Sequence, residues 1–163
     1  MVVRQTQTET PVLMADKNMR IGIVVARFNE AITRNLLEAC LDELRILGVA
    51  PARIRVVWVP GAFEIPLVAW RLARQKNIDA VICLGAVIRG ETLHYELVAW
   101  ETARGIMDVG LLTDKPVIFE VLATDTEDLA LKRAQPQGIN KGRDAARAAV
   151  EMIQVLSALK IKR

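Results

Sequence analysis

The chain has 163 residues, enough for one domain that buries roughly 70% of its unfolded-chain surface. Hydrophobic residues make up 52%, enough for a true core, and the 22 basic and 19 acidic side chains are scattered and nearly balanced. That balance argues against a nucleic-acid partner. No apolar run approaches transmembrane length, so no membrane partner is expected. The first residues contain no signal-peptide core. The expected organisation is a cytoplasmic protein with a flexible N-terminal arm over 1–18 and a single α/β domain over 19–163.

Four apolar, β-branched runs follow in order, separated by segments with helical spacing. Ile21-Gly22-Ile23-Val24-Val25 is the first predicted strand. Ile32, Leu36, Leu37, Leu41, Leu44 and Leu47 then form a helical stripe that Gly48 should stop as a C′ residue. Ile54 to Val59 is the second strand, and Ile65 to Arg74 the second helix. Ala80 to Leu84 is the third strand, expected to turn through glycines into a helix over Tyr95 to Leu112. Pro116 to Leu122 is the fourth. Two helices close the chain, a short one over Thr126 to Ala134 and an alanine-rich one over Lys141 to Leu159. The final Lys160-Ile161-Lys162-Arg163 reads as a solvated helix end. Strands alternating with helices imply right-handed βαβ units and a parallel sheet covered on both faces.

Cys40 and Cys83 both sit in apolar patterns and read as buried, reduced thiols. One histidine and two distant cysteines cannot supply the usual zinc ligand set, so no metal is expected.

Ligands of such sheets bind outside the carboxyl ends of the strands. Those ends carry Arg27-Phe28-Asn29, Pro60-Gly61-Ala62-Phe63-Glu64, Gly85 to His94, and Phe119-Glu120 followed by Ala123-Thr124-Asp125-Thr126. All three phenylalanines are thus expected at or near one edge, where their faces could stack on a flat heteroaromatic ligand. His94 is the only histidine. It is expected one turn into a helix that follows a glycine-containing loop, where a histidine can move protons beside a bound phosphate.

Gly90-Glu91-Thr92 can cradle a phosphate with backbone N–H groups and the Thr92 hydroxyl, or Thr92 can simply cap the helix. Arg133 can clamp phosphate or only complement a helix end. Glu64 can accept from ligand hydroxyls or merely open its helix. Dinucleotide, Walker and nucleophile-elbow motifs are all absent, which argues against dinucleotide redox enzymes, phosphate-loop NTPases and serine hydrolases.

At these residues the chain resembles the lumazine synthase family of riboflavin biosynthesis. The resemblance rests on Arg27-Phe28-Asn29, Val59 to Pro66, Leu84 to Tyr95, Pro116 to Phe119 and Asn140-Lys141-Gly142, in family order and spacing. It implies a flavodoxin-like three-layer αβα sandwich around a central parallel four-stranded sheet. It also implies a cofactor-free transferase that condenses 5-amino-6-(D-ribitylamino)uracil with 3,4-dihydroxy-2-butanone 4-phosphate.

By the same resemblance Phe28 stacks on the pyrimidine. Ala62, Phe63 and Glu64 hold the ribityl chain, and Ala86, Val87 and Ile88 present backbone groups to the uracil edge. Glu91, Thr92 and Arg133 bind the phosphate. His94 is the general acid–base group. Phe119, Arg133 and Lys141 come from a neighbouring subunit of a homopentamer, which in some members builds a sixty-subunit icosahedral shell.

The chain also departs from the family. Glu120 stands where glycine is usual, Ala123 where threonine is usual, and the loop Gln135 to Ile139 lacks the common composition. A shell-forming or ligand-holding homologue disabled by Glu120, or an archaeal-type riboflavin synthase, are the alternatives these residues leave.

Overall fold

All four apolar runs form strands: β1 (Ile21–Ala26), β2 (Ile54–Val59), β3 (Ala80–Ile88) and β4 (Val117–Thr124). They make one parallel sheet in the order β2-β1-β3-β4. The structure is a computed structural model in which residues 13–159 are described. Residues 1–12 of the expected arm and the tail Lys160 to Arg163 lie outside them.

The helices are α1 (Glu30–Ile46), α2 (Ile65–Ala73), α3 (His94–Thr113), α4 (Glu127–Arg133) and α5 (Lys141–Ala158). Side chains alternate across a strand, so a strand covered on both faces must be apolar at nearly every position. β1 and β3 obey this. Ile21, Ile23, Val25, Ile82 and Leu84 face α1, α4 and α5 in one core. Val24, Ala26, Val81, Cys83 and Val87 face α2 and α3 in the other. The result is a three-layer αβα sandwich of flavodoxin-like type. No helix among the described residues is long and apolar enough to cross a membrane.

The helix boundaries follow local chemistry. Gly48 adopts φ 97° just beyond α1, a left-handed conformation that glycine takes without strain. Thr126 caps α4 by accepting from the Leu129 N–H at 3.3 Å, and Glu127 and Asp128 complement the helix dipole there. The buried Asn140 caps α5 by accepting from the Gly142 N–H at 2.8 Å. Its amide also donates to the carbonyls of Asn35 and Gln135, tying α5 to α1 and to the preceding loop.

Three expectations need correction. β3 does not turn at Gly85 but continues to Ile88, because Ala86, Val87 and Ile88 pair with Leu122, Ala123 and Thr124 of a longer β4. Glycine at 85 serves packing instead: a Cβ there would lie 3.1 Å from Val121 and 3.3 Å from Ile65. Phe119 consequently sits early in β4, opposite Cys83, and not at the carboxyl edge. His94 is the first residue of α3 and not one turn inside it. Of the expected arm, the described residues 13–18 include backbone groups that bond to the body. The Ala15 N–H donates to the Leu47 carbonyl at 2.8 Å, and the Gln154 amide donates to the Met14 carbonyl at 2.7 Å.

Candidate active site

The β1–β3 ladder ends at Val25 and Leu84, while β3 runs four residues further. In the order β2-β1-β3-β4 this is the topological switch point, where neighbouring connections leave the sheet in opposite directions and open a crevice. A cavity of about 700 Å³ opens there. Its wall is Phe28 after β1, Gly61 to Glu64 after β2, Ala86 to Ile88 at the end of β3, and His94 with Tyr95 at the start of α3.

Each wall is fixed by local hydrogen bonds. The Arg27 and Phe28 N–H groups donate to the carbonyls of Val59 and Pro60 at 2.8 and 3.0 Å, prolonging the β1–β2 ladder. Asn29 then takes a left-handed conformation, φ 60° and ψ 45°, which asparagine tolerates better than most residues. Its side-chain amide donates to the Ala86 carbonyl at 2.9 Å, binding the Phe28 turn to β3. The phenyl groups of Phe28 and Phe63 are left 71% and 58% exposed at the cavity mouth. Two such faces in one crevice suit a flat ligand. Glu64 turns back so that Oε2 accepts from the Gly61 N–H at 2.9 Å, leaving Oε1 for a ligand donor.

The loop from Arg89 to Leu93 carries Glu91 and Thr92 beside the cavity, both exposed. No side chain caps α3 at Leu93, and the His94 N–H meets Thr92 Oγ1 only at 3.4 Å. The helix therefore presents weakly satisfied N–H groups and the positive end of its dipole next to the His94 ring, an arrangement that favours an anion. Arg89 braces this loop. Its guanidinium meets Asp125 at 3.0 Å and donates to Tyr95 Oη at 2.9 Å. Because arginine only donates, Tyr95 keeps its own O–H proton for another acceptor.

Tyr95, Leu97, Val98 and Glu101 also line the cavity and were not among the expected residues. The last three stand three, four and seven positions after His94. That spacing is the helical face on which His94 lies, and it is readable in the sequence. Glu101 pairs with Arg104 on the same helix.

Three expected residues lie elsewhere in this chain. Phe119 lines a separate apolar groove of about 440 Å³ with Ile106, Met107, Met152 and Leu156. Arg133 ends α4, where its guanidinium donates to the Leu129 carbonyl at 2.9 Å. Lys141 opens α5 and binds Asp144 at 2.8 Å. Among the described residues no His, Cys, Asp and Glu side chains form a group able to hold a metal ion.

A family profile described as 6,7-dimethyl-8-ribityllumazine synthase matches residues 18–157. The chain belongs to the 6,7-dimethyl-8-ribityllumazine synthase family. It is 50% identical over 144 residues to the protein of that name from Protochlamydia amoebophila, covering 88% of this chain and 84% of the relative. It is 49% identical over 153 residues to the 6,7-dimethyl-8-ribityllumazine synthases of two Thermus thermophilus strains, covering 94% of this chain and 97% of theirs.

Glu120, the departure from the lumazine synthase pattern, does not line the cavity of its own chain. It lies on the face of β4 shared with Ile118 and Leu122, beneath α5. Burial pushes its carboxyl up to about 7, Lys141 opposes that shift and Asp144 adds to it. Ala123, the second departure, is exposed on β4 opposite Val87.

Proposed function

We propose that the protein is a lumazine synthase that condenses 5-amino-6-(D-ribitylamino)uracil with 3,4-dihydroxy-2-butanone 4-phosphate. The products are 6,7-dimethyl-8-ribityllumazine, inorganic phosphate and water. The observation that carries this reading is one crevice holding two exposed aromatic faces, a lone histidine and a weakly capped helix N-terminus. The near-half identity to named synthases along almost the whole chain supports it independently.

The chemistry needs a place for a flat ring, a place for a departing phosphate, and a proton carrier between them. Phe28 stacks on the pyrimidine, and the backbone of Ala86, Val87 and Ile88 reads its polar edge. Ala62, Phe63 and the free oxygen of Glu64 hold the ribityl hydroxyls. Glu91 and Thr92 offer main-chain donors to the phosphate. His94 moves protons as the amine adds to the ketone, water leaves, phosphate is eliminated and the second amine closes the ring. The reacting groups are held together, so part of the barrier is removed by proximity alone.

Phe119, Arg133 and Lys141 complete the site of an adjacent subunit in a homopentamer. Two features support assembly. Leu93, Leu97, Trp100, Met107 and Leu111 form an exposed apolar stripe along α3, between 63% and 74% accessible. The groove that holds Phe119 adjoins that stripe through Met107 and Leu111. Contiguous apolar surface of this kind marks an interaction site. The polar, freely diffusing substrates fit a cytoplasmic enzyme.

Mixing the purified protein with both substrates and following lumazine absorbance tests the reading. Product forming no faster than in the uncatalysed mixture would overturn it. Arg133→Ala is expected to raise the apparent KM for the butanone phosphate by roughly tenfold or more, since a charge-assisted phosphate contact is lost. The KM for the uracil substrate should change far less. Equal rises in both constants would remove Arg133 from the phosphate site.

A further inference from the structure

Nothing in the loop before α3 packs that helix start into place. Residues 89 to 94 are all exposed, and a Cβ added at Gly90 would meet nothing within 4 Å. No side chain caps the helix at Leu93, and among the described residues no side chain is bonded to the His94 imidazole. The ring is therefore placed by the first turn of α3.

That turn has one polar side-chain tether to the sheet among the described residues. Tyr95 is the second residue of α3, and its phenol oxygen accepts from the Arg89 guanidinium at 2.9 Å. The guanidinium also lies 5.1 Å from the centre of the Tyr95 ring. Its Nε meets Asp125 at 3.0 Å, just beyond β4. The backbone of Arg89 is fixed as well. Its N–H donates to the Thr124 carbonyl at 2.9 Å, which carries the β3–β4 ladder one residue past Ile88. Thr124 is anchored in turn, because its hydroxyl donates to the Thr126 carbonyl at 2.9 Å. A rigid strand end thus reaches across an unpacked loop and grips the turn that carries the histidine.

We propose that Arg89 is a positioning residue, which fixes the His94 imidazole at the cavity wall by clamping Tyr95 to the end of β4. The inference rests on the reading that His94 moves protons in this cavity. Magnitudes separate this role from a general contribution to stability. The Arg89 and Asp125 side chains are 53% and 67% exposed, and ion pairs that open to water add little to global stability. Losing the pair should lower the melting temperature by no more than about 4 °C. Displacing an acid–base group by about 1 Å, in contrast, costs up to about 100-fold in rate. The clamp also depends on shape. A planar guanidinium reaches both partners at once, whereas a lysine ammonium is a single point of charge.

Arg89→Met is expected to lower kcat roughly tenfold or more while both KM values stay within about threefold of wild type. Arg89→Lys should not restore the rate. Tyr95→Phe keeps the ring in the wall and removes only the phenol oxygen, so it should match Arg89→Met. The double variant should be no slower than either single one, because both remove the same link. Should Arg89→Met fail to fold, Tyr95→Phe carries the test.

A second measurement needs no turnover. His94 is the only histidine, so protein grown with isotope-labelled histidine gives one imidazole signal by NMR. That signal should move or broaden in Arg89→Met and in Tyr95→Phe. It should stay in place in Arg45→Met, which removes an exposed ion pair from α1 instead. Wild-type kcat in Tyr95→Phe, full activity in Arg89→Lys, multiplying losses in the double variant or an unmoved signal would each overturn the proposal. Product formation by wild type with any of these results rejects the Arg89 role alone. A signal that responds in a protein that makes no product rejects the proposed reaction and leaves Arg89 as the residue that places the ring.

Discussion

His94→Ala is expected to lower kcat by on the order of 100-fold or more, the usual contribution of a positioned acid–base group. The melting temperature should not move, and the reason is local. His94 is exposed, opens α3, and its only side-chain partner among the described residues is Thr92 Oγ1, reached by the backbone N–H. Alanine keeps that N–H and favours the helix. The variant should retain both KM values to within a few-fold, because the aromatic faces and phosphate donors stay in place. Steady-state rates combined with a thermal melt separate the two effects. An unchanged kcat would take His94 out of the mechanism, and a fallen melting temperature would make its role structural.

The largest stability effect is expected far from that cavity, at Gly142→Ala. An alanine Cβ would lie 2.0 Å from the Leu36 carbonyl oxygen and 2.8 Å from its carbon. These are backbone atoms of α1, so no rotamer change can relieve the contact. The first turn of α5 must move away, and Asn140 loses its place between the two helices. Overpacking of this kind costs about 3 kcal/mol or more. For a domain of this size that lowers the melting temperature by roughly 6–12 °C. Gly90→Ala is the matched control, because a Cβ there meets nothing within 4 Å. A Gly142→Ala protein as stable as wild type would mean that α5 is not seated on α1 as described.

Most of the fold was legible because its signals are local. A strand buried on both faces is an apolar run, and Ile54 to Val59 is bounded as the run predicts. Gly48, Thr126 and Asn140 are punctuation whose chemistry is fixed by a single residue. What was not legible depends on partners distant in sequence. Gly85 has the composition of a turn, yet it is straight because β4 offers a ladder as far as Thr124. The same extension carries Phe119 away from the edge where a shorter strand would have left it. In the site, Phe28, Phe63 and His94 announce themselves as rare residue types. Tyr95 and Glu101 do not, although the helical repeat from His94 reaches the second of them. Glu120 was visible as an oddity, but its neighbours were not. Cys40 lies 80 positions away in sequence, and Lys141 is brought over it by the last helix.

The two thiols have a use that their burial creates. Cys40 lies in the core on the α1–α5 side of the sheet, and Cys83 in the core on the α2–α3 side. Both are fully enclosed, and burial holds each well above the usual thiol range, so neither offers a thiolate to an alkylating reagent while its layer is closed. Modification can then proceed only through opening of the surrounding layer. The chain therefore carries one internal clock on each side of its sheet. Equal labelling rates would report a molecule that opens as one cooperative unit, and unequal rates would identify the layer that loosens first.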